Sequence, residues 1–318
     1  MTPTLVLLAA IAVLLSACAT APAPAPESLP VIRTLWNFQD PAGTEAKFRA
    51  VLPAARASGD RAYLAELLSQ IARTEGLQMR FDEADRTLAE ADTFLGDGMP
   101  RATVLCLLER GRVRNSSKRQ EEAKPYFLKA WDEARAAGLG GLAVDAAHMM
   151  AIACMPDGSL EWNLKAIAFA EGSEDPAARA WLGSLYNNTG WDHHNAGRYE
   201  EALALFRKNQ AFEEAKKPGT YDARVARWTV ARALRSLGRT EEALAAQAAL
   251  QAESEAAGDA DGYGFEEIAE CLWTLGRKDE ARPFFAKAWD LLSKDPWLQR
   301  DEPKRLERMK RLGDGAAE

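Results

Sequence analysis

The chain repeats one short phrase at a nearly fixed interval, and this repetition constrains its fold more than any other feature. The stretches AGRYEEALALF (196–206), LGRTEEALAAQ (237–247) and LGRKDEARPFF (275–285) share a glycine, an acidic pair and an alanine. With that alanine as the anchor, successive units are separated by 39, 40, 39, 41 and 38 residues. Such a steady period indicates one supersecondary unit copied along the chain. The six anchors are Ala84, Ala123, Asn163, Ala202, Ala243 and Ala281, of which Asn163 departs from the pattern.

The positions around each anchor form columns of similar residues. Apolar residues at spacings of three and four predict two amphipathic helices per unit. Twelve residues before the anchor every unit has a small residue, which lets the two helices cross closely: Ala72, Gly111, Ala151, Gly190, Ala231 and Ala269. Four residues after it lies a mostly large residue, expected to pack against the neighbouring unit: Leu88, Phe127, Ile167, Phe206, Gln247 and Phe285.

A glycine five residues before the anchor is expected to end the first helix with a positive φ. Four units have it, at Gly158, Gly197, Gly238 and Gly276. Met79 and Lys118 stand in this column in the first two units and depart from the pattern.

These columns, with Tyr199 in GRYEEA and with Tyr186 and Phe265 sixteen residues before their anchors, resemble the tetratricopeptide repeat (TPR). The resemblance covers roughly residues 45–292, although the family's usual period is shorter, about 34 residues. It implies an all-α, right-handed solenoid of about six helix-turn-helix repeats, stacked because no single hairpin buries its own apolar face. Helices at Gly43–Asp60 and Glu302–Leu312 are expected to cap its ends. We place the solenoid at residues 36–314 and a disordered tail at 315–318.

The resemblance also implies a concave groove, lined by the first helices, that binds an extended peptide or a partner helix. Its lining falls fifteen, eleven and eight residues before each anchor, and these positions share one helix face. Units four to six carry tryptophan, arginine, asparagine and histidine there, and tryptophan and arginine are enriched at binding hot spots. The predicted partner-binding residues are Asn187, Trp191, His194, Trp228, Arg232 and Arg235, with Trp273 at the edge.

This patch would bind an extended segment that carries an acidic side chain or a free carboxyl terminus, because arginine forms paired hydrogen bonds with carboxylates. For any single residue of the 9 tryptophans, filling a wide solenoid interior is the alternative.

The first residues predict an export signal. Leu5–Leu15 is an unbroken apolar run, too short to span a bilayer and of the length of a secretory signal core. LSAC at 15–18 resembles the bacterial lipobox, which implies removal of residues 1–17 and acylation of Cys18; an ordinary signal peptide is the alternative. The Pro/Ala-rich linker that follows, within residues 18–35, favours an extended spacer. Ala19, rather than Asp, after the cysteine implies the inner leaflet of the outer membrane, facing the periplasm.

Charge and motifs limit the function. The net charge of −7 argues against nucleic-acid binding, which needs a basic surface. The adjacent His193 and His194 cannot easily share a metal, and no catalytic, metal or cofactor motif is present. We therefore expect a non-enzymatic adaptor in the bacterial envelope that binds a protein or peptide. The alternative is a periplasmic protein that binds solutes or cell-wall fragments in a tryptophan-lined groove.

Overall fold

The computed structural model describes residues 28–155, 158–259 and 261–315. The predicted signal peptide, Cys18, most of the linker and the last three residues lie outside them. No helix in the described part of the chain combines the length and the apolar character needed to cross a membrane.

The described chain is a series of antiparallel helical hairpins. A single helix, α1 (Pro41–Ser58), precedes them. The hairpins are α2–α3 (Arg61–Leu77, Phe81–Asp92), α4–α5 (Pro100–Ser116, Gln120–Ala136) and α6–α7 (Gly140–Ala153, Ser159–Glu171). After the one-turn α8 (Pro176–Arg179) come α9–α10 (Leu182–Asn195, Tyr199–Lys216), α11–α12 (Tyr221–Ser236, Thr240–Ala256) and α13–α14 (Gly262–Thr274, Lys278–Leu292). The short α15 (Pro296–Asp301) and α16 (Pro303–Gly313) are the last helices of the described chain.

The small-residue column lies where the two helices of a hairpin cross, as predicted. Ala72, Ala231 and Ala269 are fully buried, and a Cβ on Gly111 would come 2.3 Å from the ring of Phe127. That ring belongs to the same hairpin, α4–α5. The large residue therefore fills the space where the two helices of its own hairpin cross. We expected it to pack on the neighbouring unit, but the close approach of α4 and α5 creates the space that it occupies.

The turn column also has a common geometry. Gly197, Gly238 and Gly276 have φ between 75° and 77°, and Met79 and Lys118 adopt φ of 62° and 63° at the same place. The hairpin geometry is therefore kept even where the sequence departs from glycine. Gly158 is the exception: its φ is −109°, and it caps the start of α7. The expected positive φ at Gly158 is wrong because α6 ends at Ala153, which leaves a longer loop before α7.

Both ends of the helical array are closed. At the C-terminus Leu306, Met309 and Leu312 of α16 are buried against α14, so the predicted cap is present. At the N-terminus Leu29 packs against the first core cluster, and Tyr63 Oη donates a hydrogen bond to the Pro30 carbonyl at 2.7 Å. The described chain is therefore already packed on the solenoid within the predicted linker.

Candidate functional site

Three consecutive first helices, α9, α11 and α13, meet the C-terminal cap around a cavity of about 650 Å³. Four of the seven predicted binding residues line it: Trp191, Trp228, Arg232 and Arg235. The opposite side is acidic. Glu266 and Glu270 stand at the lining offsets of the sixth unit but were not predicted to bind the partner; Glu267, Glu302 and Arg305 complete this side and do not stand at lining offsets. The cavity thus has an aromatic and cationic side and an anionic side.

The aromatic side is held by ring contacts. The centroids of Trp191 and Trp228 are 6.2 Å apart, and both side chains are half-buried. Trp191 also makes edge contacts with Phe206 at 5.3 Å and with His194 at 5.0 Å. These contacts fix the orientation of the Trp191 ring toward the cavity.

His194, a predicted site residue, lies behind Trp191. It is only 8% exposed, and its Nε2 is 3.0 Å from Ser236 Oγ. Burial lowers the pKa of His194, and the nearby Arg232 charge lowers it further. The imidazole is therefore neutral at pH 7 and supports the tryptophan rather than lining the cavity.

The two arginines of α11 share one carboxylate. Arg235 donates two hydrogen bonds to Glu267, from Nε at 2.8 Å and from Nη2 at 2.9 Å. Arg232 Nε lies 3.1 Å from Glu267 Oε1, and its Nη1 donates to Ser236 Oγ at 2.6 Å. One buried glutamate therefore positions both guanidinium groups.

The two guanidinium groups differ in how well their charges are compensated. Burial lowers the pKa of Arg235, but its hydrogen bonds to Glu267 and the charge of that carboxylate outweigh burial and leave the pKa raised. For Arg232, burial and the adjacent Arg235 charge together exceed the effect of Glu267, so the pKa is lowered. Arg232 is the cation of the cavity whose charge is incompletely balanced.

The other carboxylates of the cavity are paired with the terminal helix. Arg305 of α16 donates to Glu266 at 2.7 and 2.6 Å, and Arg308 pairs with Glu270. The C-terminal cap thus closes one end of the cavity as well as the hydrophobic core.

Asn187 and Trp273 lie outside this cavity. Asn187 Nδ2 donates to Asn188 at 3.3 Å, and its Oδ1 is buried with no hydrogen-bond partner. Trp273 packs edge-on against Phe285 at 6.0 Å, and Lys278 Nζ lies 4.5 Å from its ring centroid. Neither residue lies with the four predicted residues that line the cavity.

Ion pairs also connect the first helices of the first three hairpins. Arg73 pairs with Glu109 at 3.2 Å, and Arg112 bridges Glu109 and Asp145, each at 2.5 Å. These contacts link α2, α4 and α6.

The described residues contain no cluster of three or more histidine, cysteine, aspartate or glutamate side chains able to hold a metal ion. Cys106, Cys154 and Cys271 are free thiols. Burial raises the pKa of Cys106 and of Cys271 to about 12. These two thiols are therefore protonated at neutral pH and poor nucleophiles.

No family model and no curated protein matches the chain. Solved structures do match in fold. BtubC (BKLC) from P. vanneervenii aligns with a TM-score of 0.54 and 14% identity, over 73% of this chain and 94% of that chain. A signal-transduction ATPase with numerous domains and a tetratricopeptide repeat sensor, from Pyrococcus horikoshii, aligns with a TM-score of 0.58 and 12% identity, over 87% of this chain and 45% of that chain. At these identities the likeness concerns the fold, and this chain has the all-α solenoid fold of tetratricopeptide repeat proteins.

Proposed function

We propose that this chain is a non-enzymatic scaffold that binds an extended segment of a partner protein in the cavity between α9, α11 and α13. The observation that carries the proposal is that predicted groove residues of consecutive first helices meet at one cavity. Trp191, Trp228 and Arg232, which come from α9 and α11, line an open space of about 650 Å³. Half-buried tryptophan and arginine side chains are the usual anchors of protein recognition.

The charges favour a ligand with a carboxylate. Arg232 is crowded by Arg235 and incompletely balanced by Glu267, so an incoming carboxylate would stabilise it. Glu266 and Glu270 are already occupied by arginines of α16, which limits their repulsion of such a ligand. An acidic side chain flanked by apolar residues would place its charge at Arg232 and its apolar groups on the two tryptophans.

Attachment to the envelope is the second part of the proposal. It rests on the apolar run Leu5–Leu15, the lipobox-like LSAC and the Pro/Ala-rich stretch that follows. An acylated Cys18 in the inner leaflet of the outer membrane would hold the solenoid in the periplasm. The spacer would keep the cavity away from the lipid surface and accessible to a partner.

The test is partner capture by cross-linking in the native envelope. Replacing Trp191 and Arg232 together by alanine should abolish capture of the partners trapped by the wild type, with helical content retained. A matched control replaces the exposed Trp297 and Arg300 by alanine. If the groove variant traps the same partners as this control, the cavity is not the binding site.

The alternative, binding of a solute or cell-wall fragment in the groove, is distinguished by the size of the ligand. A protein partner should bury about 1,200 Å² or more of total surface. A fragment binder would instead retain its ligand through purification without a trapped protein.

A further inference from the structure

A second cavity lies beside the first and shares Trp228 and Tyr263 with it, but it opens in the fifth hairpin. It has a volume of about 440 Å³ and is lined by α11, α12 and the start of α13. Tyr221, which is 69% exposed, stands at its mouth, where Arg224 pairs with Asp259 at 2.7 Å. The space is therefore open to solvent at one end and reaches the interior at the other.

The interior end contains an amide at a repeat position where three other hairpins have a phenylalanine ring. Gln247 occupies the column filled by Phe127, Phe206 and Phe285, and like them it is fully buried. Its Nε2 lies 3.4 Å from the Trp228 carbonyl, while its Oε1 has no hydrogen-bond partner. Burying an amide without hydrogen-bond partners costs free energy. Glutamine at position 247 therefore destabilises the hairpin core unless another group forms hydrogen bonds with the amide.

A second amide lies one turn further along α12. Gln251 is 5% exposed, and neither its Oε1 nor its Nε2 has a partner. Gly264 makes room for it, because a Cβ at that position would lie 2.4 Å from Gln251 Oε1. In the preceding hairpin the equivalent Gln210 is instead half-buried and donates to Glu214 at 2.9 Å.

These unpaired groups define a ligand chemistry. The amides offer two acceptors and a donor, and the buried indole Nε1 of Trp228 adds another unpaired donor. A hydroxyl group both donates and accepts, so two neighbouring hydroxyls could satisfy this set. A terminal amide also turns readily about its last side-chain bond, which allows Gln247 and Gln251 to align with an entering ligand.

The walls suit a ring with one apolar face. Tyr221, Trp228 and Tyr263 line the cavity, together with Val225 and Leu250. Aromatic side chains provide apolar contact area and polar edges at the same time. We propose that this cavity binds one neutral sugar ring, with adjacent hydroxyls on Gln247 and Gln251 and its apolar face on the aromatic wall.

The test is a titration of the full chain with glucose, galactose and N-acetylglucosamine, followed by the indole N–H signals in NMR spectra. The Trp228 signal, assigned as the one missing in Trp228→Phe, should shift with at least one of the three sugars. Gln247→Phe introduces the residue that three other hairpins have at this position and should weaken that binding by at least about tenfold. The matched control, Gln210→Ala, should bind as the wild type does.

Two further variants keep the test decisive. Should Gln247→Phe fail to fold, Gln251→Ala replaces it, with the same loss expected. Arg232→Ala, in the groove, should leave sugar binding intact, which separates this cavity from the proposed function. The proposal is overturned if none of the three sugars shifts the Trp228 signal, which would indicate a water-filled space. It is also overturned if the folded Gln variants bind as the wild type does.

Discussion

The ring of Phe206 on α10 occupies the space that a side chain at Gly190 on α9 would need. A Cβ at position 190 would lie 2.4 Å from Phe206 Cε1, and the ring is fully buried. Gly111 and Phe127 have the same relationship in the α4–α5 hairpin. Two columns of the repeat are therefore one packing unit, in which the missing side chain of one helix admits the ring of the other.

Gly190→Ala should destabilise the protein by about 1–3 kcal/mol, the usual cost of overpacking a tight core. The gain in helix propensity offsets part of this cost. Urea unfolding followed by circular dichroism measures the change. Gly76→Ala is the matched control, since a Cβ there meets only Val113 Cγ2 at 3.7 Å. It should be neutral or stabilising, and equal losses in both variants would contradict the packing unit.

The repeat columns carried enough information to predict the hairpins but only part of the site. Spacing placed Trp191, Trp228, Arg232 and Arg235 on one wall, because fixed offsets on successive first helices recur on the same face. It did not indicate Glu267, which lies one position away from the lining offsets and becomes a partner only when α11 and α13 pack together.

Other features depended on packing that spacing does not reveal. His194 stands at a lining position, yet it is buried beside Trp191 and Tyr199 because these two rings enclose it. The short α15 lies beyond the repeat and has no periodic pattern to indicate it. Gln247 stands in a column of mostly large apolar residues and was not singled out from the sequence; its burial without a full set of hydrogen-bond partners distinguishes it in the structure.

Lys118 adopts a left-handed backbone conformation that normally favours glycine, with φ at 63°. Lys118→Gly should stabilise the protein by about 0.5–1 kcal/mol, because relief of the Cβ strain exceeds the entropy that glycine gains in the unfolded chain. Thermal unfolding measures the gain. Lys118→Ala keeps the Cβ and serves as the control, so an equal gain from alanine would show that backbone strain is not the cause.

The 3 histidines predict an acid-sensitive fold. Burial lowers the pKa of His148, His193 and His194 in the folded chain. The unfolded state therefore binds more protons at and below the ordinary histidine pKa of about 6.5. This contribution to the free energy of unfolding is complete above that pH and is lost as the pH falls through the lowered folded pKa values.

His148→Gln should reduce this dependence. The variant removes one buried titrating group, so its free energy of unfolding should fall less than that of the wild type between neutral and mildly acidic pH. Urea unfolding at a series of pH values measures both slopes. Identical slopes would mean that His148 does not contribute to the acid sensitivity.

The LSAC sequence predicts acylation of Cys18. Cys18→Ser should abolish incorporation of a radiolabelled fatty acid and release the protein from the membrane fraction, because the thiol is the acceptor of the lipid. Cys106→Ser, which changes a buried thiol of α4, is the control and should keep the label. Incorporation that survives in Cys18→Ser would refute the anchor.

Glu267 affects both the stability of the protein and the proposed binding in the cavity, because it pairs with both arginines of α11. Its side chain is 6% exposed and pairs with Arg235 and Arg232, which are 19% and 24% exposed. Glu267→Gln leaves both guanidinium groups without their carboxylate and should destabilise the protein by about 2 kcal/mol, less than a fully buried pair would lose. Glu242→Gln is a matched control, because Glu242 makes a similar two-bond pair with Arg239 on the exposed surface.

The same Glu267→Gln change should strengthen the binding of an external carboxylate, although it destabilises the protein. With the internal carboxylate removed, Arg232 and Arg235 would be available to an external one, so acetate should raise the melting temperature of this variant more than that of the wild type. Glu242→Gln should respond to acetate as the wild type does. If acetate stabilises the two variants equally, the arginines of α11 do not bind carboxylates, and the proposed preference for an acidic partner segment is wrong.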